Sequence, residues 1–265
     1  MRFLASVGLA FILVSPQGAS AQDVFHSIQS ANLPTAVILP RGSWLFEISH
    51  RFDAPFSNGG SDLWGLDGPA YNRLGLVYSV HDRAQIGILR SNVEDNIELN
   101  AKVGVWSGSG GMPLEVALML GAALNTQVFE VAGAEDNEEQ LYAQLLLNAL
   151  LGDRFALGIV PTLLHNQRLR DVDAHQAIAV GVHGQLYVSP SMSLLAEWLL
   201  APEREGLEHD PATFGIEFQT RGHFFKLLVT NQARLNPTQF LAGTPTSFEP
   251  DEWRFGFNIT RLLPF

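Results

Sequence analysis

From Trp44 to the C-terminus the chain is written in short alternating segments. "WLFEISHRF" sets Trp44, Phe46, Ile48 and Phe52 on one face and Glu47, Ser49 and Arg51 on the other, the period of a strand with one apolar side. "NRLGLVYSV" opposes Leu74, Leu76, Tyr78 and Val80 to Arg73, Gly75 and Ser79, and "NIELNAKVGVW" opposes Ile97, Leu99, Ala101, Val103 and Val105 to Glu98, Asn100, Lys102 and Gly104. "TFGIEFQTR" places Phe214, Ile216 and Phe218 against Gly215, Glu217, Gln219 and Arg221. The final "EWRFGFNITRLLPF" places Trp253, Phe255, Phe257, Ile259 and Leu263 against Arg254, Gly256, Asn258 and Thr260, with Arg261 interrupting the apolar face. Less regular segments over 83–91, 114–124, 140–151, 154–164, 174–188, 191–200 and 223–231 bring the total to about twelve strands. Residues 138–151, "EEQLYAQLLLNALL", would serve equally as an amphipathic helix with glutamates in its first turn.

The connections carry a second rhythm. Odd connections are mostly long and rich in Gly, Pro and Asp, as in "DAPFSNGGSDLWGLDGPA" and "QARLNPTQFLAGTPTSFEPD", while even ones are mostly short, as in "HD", "GD", "SP" and "RG". "NVED" is the short exception among the odd ones. Long loops at one end and tight turns at the other are what an outer-membrane barrel produces. A β-sandwich has no reason to sort its loops this way. The apolar faces are heavy and the polar faces thin, so the apolar side belongs against lipid and the polar side inside a closed sheet. The fold expected is all-β: an up-and-down antiparallel transmembrane β-barrel of about twelve strands over residues 44–265.

Composition narrows the function classes. Sixteen Lys and Arg against 27 Asp and Glu give a net charge of -11, which argues against nucleic acid, since no basic cluster exists to hold phosphates. Only 16% of residues are charged, below the roughly 25% of soluble domains. The chain has no cysteine, which removes disulfides, thiolate catalysis and cysteine metal sites together. The N-terminus reads as an export signal: Arg2, an apolar stretch from Phe3 to Val14, Pro16, then Ala19-Ser20-Ala21, so cleavage is expected between Ala21 and Gln22. Residues 22–43 then form a polar N-terminal segment with Pro34 and Pro40, expected in the periplasm without regular structure and with no identifiable partner. The destination is the outer membrane of a Gram-negative bacterium.

Two resemblances add to this. The closing segment resembles the C-terminal signature of bacterial outer-membrane proteins, which implies recognition of Phe257, Ile259, Leu263 and Phe265 by the barrel-assembly machinery. Residues 33–106 resemble a family of bacterial β-barrel proteins known as domain of unknown function 5777. The residues carrying that likeness are His50, Arg51, Phe52, Gly65, Leu66, Asp67, Tyr78, Asp82, Arg83 and Glu98. The resemblance implies a fold and a location, not an activity.

Strand parity lists the expected lumen charges: acids Glu47, Glu98, Glu115, Glu197 and Glu217, and bases Arg51, Arg73, Lys102, Arg221, Lys226 and Arg254. Rings of such side chains set selectivity in channels, so a passive, porin-like path for small polar solutes is the first reading. The alternative is a scaffold barrel whose lumen charges pair with one another. Twelve strands fall between barrels filled by side chains and barrels that hold open water. Loop acids including Glu135, Asp136, Glu138, Glu139, Glu203, Glu205, Glu208 and Asp210 would make an acidic outer rim, but solvated loop charges without a role are the simpler and preferred reading. A lipolytic enzyme is third: His175 and His183 share a strand face near Ser191 and Ser193, but no nucleophile motif accompanies them. No cofactor or metal site is expected.

Overall fold

The structure, a computed structural model, describes residues 24–108, 113–127, 139–167, 175–204 and 206–263. The proposed signal peptide and Phe265 lie outside these residues. Twelve strands close into one barrel: β1 (Trp44–Phe52), β2 (Ala70–His81), β3 (Ala84–Ser91), β4 (Asn96–Gly108), β5 (Leu114–Asn125), β6 (Glu139–Leu151), β7 (Phe155–His165), β8 (Gln176–Ser189), β9 (Met192–Leu200), β10 (Ala212–Thr220), β11 (His223–Thr230) and β12 (Arg254–Leu263). Each strand pairs antiparallel with its sequence neighbours. The closing strand β12 returns to β1, with Trp44 opposite Leu263 and Arg51 opposite Gly256. Closure leaves no unpaired edge, the condition for a sheet to survive in hydrocarbon.

That condition also decides the ambiguous stretch. Residues 139–151 are strand β6, paired with β5 from Leu124↔Glu139 to Leu114↔Ala149 and with β7 on its other side. A helix there would have left both neighbours with bare edges, so pairing overrides the local helical pattern.

The exposure pattern is inverted relative to a soluble domain. Leu99, Leu163, Ile178 and Leu227 are 60–68% exposed, while Arg51, Arg73, Lys102 and Lys226 are 0–2% exposed. Leucine therefore faces outward and charge faces inward, which is stable only with lipid outside. Aromatic residues gather at both rims. Trp44 packs against Tyr78 with tilted rings at 4.4 Å near the short turns. Phe56, Phe255, Trp253, Phe248 and Trp198 form a chain of ring contacts near the long loops.

Two glycines show how closely parts pack. Gly65 ends the 3-10 turns of Phe56–Gly65 at φ +86°, and a Cβ there would meet Ala54 O at 2.3 Å. Gly121 on β5 lies opposite Tyr142 on β6, and a Cβ there would stand 2.2 Å from the Tyr142 ring. Lying across that glycine, Tyr142 reaches Glu98 with its hydroxyl, donating to Oε1 at 2.7 Å.

Gly121→Ala should force Tyr142 aside and lower stability by about 1–3 kcal/mol, the usual penalty of overpacking. Tyr142→Phe, which removes only the hydroxyl, should lose the hydrogen-bond part of that amount. The midpoint of heat-induced loss of barrel migration in gels compares the two.

Candidate functional site: the occupied lumen

The site sits where the strands point their polar faces, and the sequence supplies what fills it. Residues 24–43, expected in the periplasm, instead lie within the barrel. They form a re-entrant hairpin in which Thr35 N donates to Ile28 O at 3.0 Å and Ser30 N donates to Leu33 O at 2.8 Å. Both arms sit at the short-turn end: Val24 N donates to Glu115 at the start of β5, and Gly42 N donates to Ser79 O at the end of β2. The tip, Ala31-Asn32, stands in mid-lumen. The physical reason is composition, since residues 24–40 contain no Asp, Glu, Lys or Arg but include Val24, Phe25, Ile28, Leu33, Val37, Ile38 and Leu39. Such a segment gains by burial and has little to offer water.

Burying it obliges the barrel to satisfy its backbone. The carboxylate of Glu197 accepts from three consecutive amides, Ala31 N at 3.1 Å, Asn32 N at 2.9 Å and Leu33 N at 3.1 Å, and from the Asn32 side chain. Lys226 donates to the carbonyls of Gln29 at 2.6 Å and Ser30, and lies 3.2 Å from Glu217. Lys102 donates to Thr35 O at 2.9 Å and Ile28 O at 3.4 Å. Asn148, Gln85 and Asn258 engage Ala36 N, Leu39 N and Ala31 O. Arg51 bridges Asn32 Oδ1 at 3.0 Å and Asn258 Oδ1 at 2.8 Å.

A second insert enters from the opposite end. The connection between β11 and β12 folds inward over residues 231–244, with a single helical turn at Pro237–Phe240. Thr238 N donates to Glu98 Oε2 at 3.3 Å and Gln239 donates to Val93 O at 2.9 Å. Phe240, Leu241 and Ala242 share one apolar cluster with Leu33 and Ala36 of the hairpin and with Leu146, Val160 and Leu164 of the wall. Arg73 joins everything: it pairs with Glu47, donates to Gln29 of the hairpin at 3.3 Å, and donates to Leu235 O of the second insert.

The expected lumen residues are thus largely brought together. Glu47, Arg51, Arg73, Glu98, Lys102, Glu115, Glu197, Glu217 and Lys226 all face inward, at 0–8% exposure. Two are not. Arg221 lies exposed in the β10–β11 turn, because β10 ends at Thr220. Arg254 has inward parity but sits half-buried at the loop rim, donating to Asp53 O at 2.6 Å and Thr246 at 3.2 Å, so it ties loops together and lines no constriction. In the "HRF" motif, Arg51 turns inward, while His50 faces outward and stacks on Phe257 at 5.0 Å. Leu66 and Asp67 belong to the β1–β2 loop. Phe257, Ile259 and Leu263 lie on the outer face of β12, and Arg261 contacts His223 across the strand pair.

The serine and histidine candidates do not assemble. His183 is buried against Phe25 at 4.8 Å, whereas His175 is exposed ahead of β8. Ser193 is bonded by Gln185 at 2.6 Å, and lies four residues along β9 from the partner of His183, about 13 Å at strand rise. Among the described residues no group of three or more His, Asp and Glu could hold a metal ion.

Comparison with known proteins fits this geometry. Residues 25–263 match the family model described as Membrane bound beta barrel domain (DUF5777). The chain belongs to this family. The matched span of the DUF5777 domain starts within the hairpin, so the lumen insert is part of the domain and not an appendage to it. An outer-membrane channel from Pseudomonas putida F1 is similar in fold, at 14% identity and TM-score 0.52, covering 86% of this chain and 98% of that one. The NanC porin, at 8% identity and TM-score 0.49, covers 84% and 99%. Outer membrane phospholipase A from Escherichia coli, at 11% identity and TM-score 0.43, covers 83% and 90%. No curated protein matches the chain. This DUF5777 protein is a membrane-bound β-barrel.

Glu197→Ala would leave three buried amides without an acceptor, each costing about 1–3 kcal/mol. In an Ala31→Cys background, where the introduced thiol is the protein's only one, the replacement should raise labelling by a membrane-impermeant maleimide about tenfold or more.

Proposed function

We propose that the protein is a closed outer-membrane scaffold, acting through its outer wall and loop end and conducting no solute at rest. One observation carries this reading: Glu197, Lys102 and Lys226 are buried and bonded to the hairpin backbone, and Arg73 and Glu98 are buried and bonded to the backbone of the second insert. Selectivity by charged rings needs those charges to face water. The standing passive path for small polar solutes is therefore the less supported of the two readings.

A gated channel keeps a foothold on one specific feature. Because both hairpin arms sit at the same end, the hairpin can withdraw without unthreading. Withdrawal would expose Lys102, Glu115, Glu197 and Lys226 to water. Insertion of the barrel is assigned to its closing strand, whose outer face carries Phe257, Ile259 and Leu263 for the assembly machinery.

In planar bilayers the intact protein should insert and stay electrically silent. Deleting residues 24–39 and replacing 232–243 by a short Gly-Ser loop should yield open steps, with an ion preference that shifts when Lys226→Gln is added. Stable open steps from the intact chain would overturn the closed reading.

A further inference from the structure

The outer wall is not evenly covered. Across β7 to β10 the register runs Leu157↔Gly184↔Ala196↔Phe214, which sets two of the smallest residues side by side on the lipid face. Around them stand larger side chains, and the result is an apolar groove of about 470 Å³ framed by Phe155, Leu186, Leu194, Trp198 and Phe214. An empty groove in a hydrocarbon wall forfeits dispersion contacts along its whole lining, so it favours a chain that fills it.

At the loop end of the groove stands Trp198. Its indole N–H donates to Asp210 Oδ2 at 2.9 Å, and its ring packs edge-on against Phe248 at 5.3 Å. On the far side of the same residue a second cavity of about 390 Å³ opens, lined by Glu203, Glu208, His209, Asp210 and Phe248. Trp198 lines both cavities, so apolar groove and acidic chamber adjoin at its ring. On the same loop Arg204 donates to Gln167 Oε1 at 2.6 Å and Glu208 accepts from Gly206 N at 2.6 Å. Asp210 is held in place as wall, since its other oxygen accepts from Ala201 N at 2.9 Å.

We propose that these two cavities form one binding site for a membrane amphiphile with a cationic headgroup. The tail lies in the groove over Gly184 and Ala196. The headgroup sits among the carboxylates of the chamber, against the aromatic rings of Trp198 and Phe248. The height is right for this division, because Trp198 belongs to the aromatic rim that marks the boundary between hydrocarbon and headgroups. An anionic headgroup would meet three carboxylates and is disfavoured there. The groove lies on the opposite face of the wall from the inserts, while the chamber adjoins the second insert through the backbone pairing of His209 with Thr244.

The test uses the full chain in nonionic micelles and two probes of equal tail, (2-bromoundecyl)trimethylammonium and 2-bromoundecyl sulfate, whose bromine, beside the headgroup, quenches tryptophan on contact. The ammonium probe should give saturable quenching that disappears in Trp198→Phe. Its affinity should fall about fivefold or more in the Glu203→Gln, Glu208→Gln double variant, as expected for exposed charge pairs. Ala196→Phe, which fills the groove from outside, should abolish saturation. Equal quenching by the sulfate probe, quenching that rises without saturation, or no effect of either the groove or the glutamate variant would overturn the proposal. The glutamates lie in an exposed loop, so that pair reports even if Ala196→Phe fails to form a barrel.

Discussion

Every backbone amide and carbonyl taken out of water must find a partner, and this constraint governs the molecule twice. Applied to the sheet, it demands closure, which twelve strands achieve by pairing β12 with β1. Applied to the interior, it demands partners for an inserted segment that has little regular structure of its own. Glu197, Lys226 and Lys102 are those partners, and each meets main-chain groups of the hairpin. A charge buried in this way is held by the hydrogen bonds it makes; one left unpaired would not be.

Much of the wall could be read from the letters. Alternation in "NIELNAKVGVW" puts Glu98 and Lys102 inside and Leu99 outside, and the structure agrees. Such a pattern is local, since the two faces of a strand alternate whatever the partner. The filling was not legible in the same way. Nothing near Glu197 in sequence indicates that its carboxylate meets Ala31, Asn32 and Leu33, more than 160 residues away. Parity also says nothing of height: it assigned Arg254 and Arg221 to the interior, but the first sits at the rim and the second in a turn.

One signal was present in the sequence. Residues 24–40 and 235–248 are both free of Asp, Glu, Lys and Arg, although each falls in a stretch assigned to aqueous surroundings. Loops and tails in water ordinarily carry charge. An uncharged, Pro-containing and partly apolar connection in a barrel with a charged interior is therefore itself a hint of where that connection goes. The lumen charges and these segments are complementary halves of one design, although they lie far apart along the chain.

The hairpin's arrangement has a consequence for assembly. It is the first part of the folded chain to be made, yet its two arms sit together at the short-turn end and no strand passes through it. The sheet can close around an empty interior and receive the hairpin afterwards, or close with the hairpin already in place, and the final topology is the same. The second insert is tethered at the opposite end between β11 and β12, so it can be seated only near the completion of closure. Arg73, which touches both, therefore acquires its full set of partners last. Its guanidinium marks the moment at which barrel, hairpin and loop become a single cooperative unit.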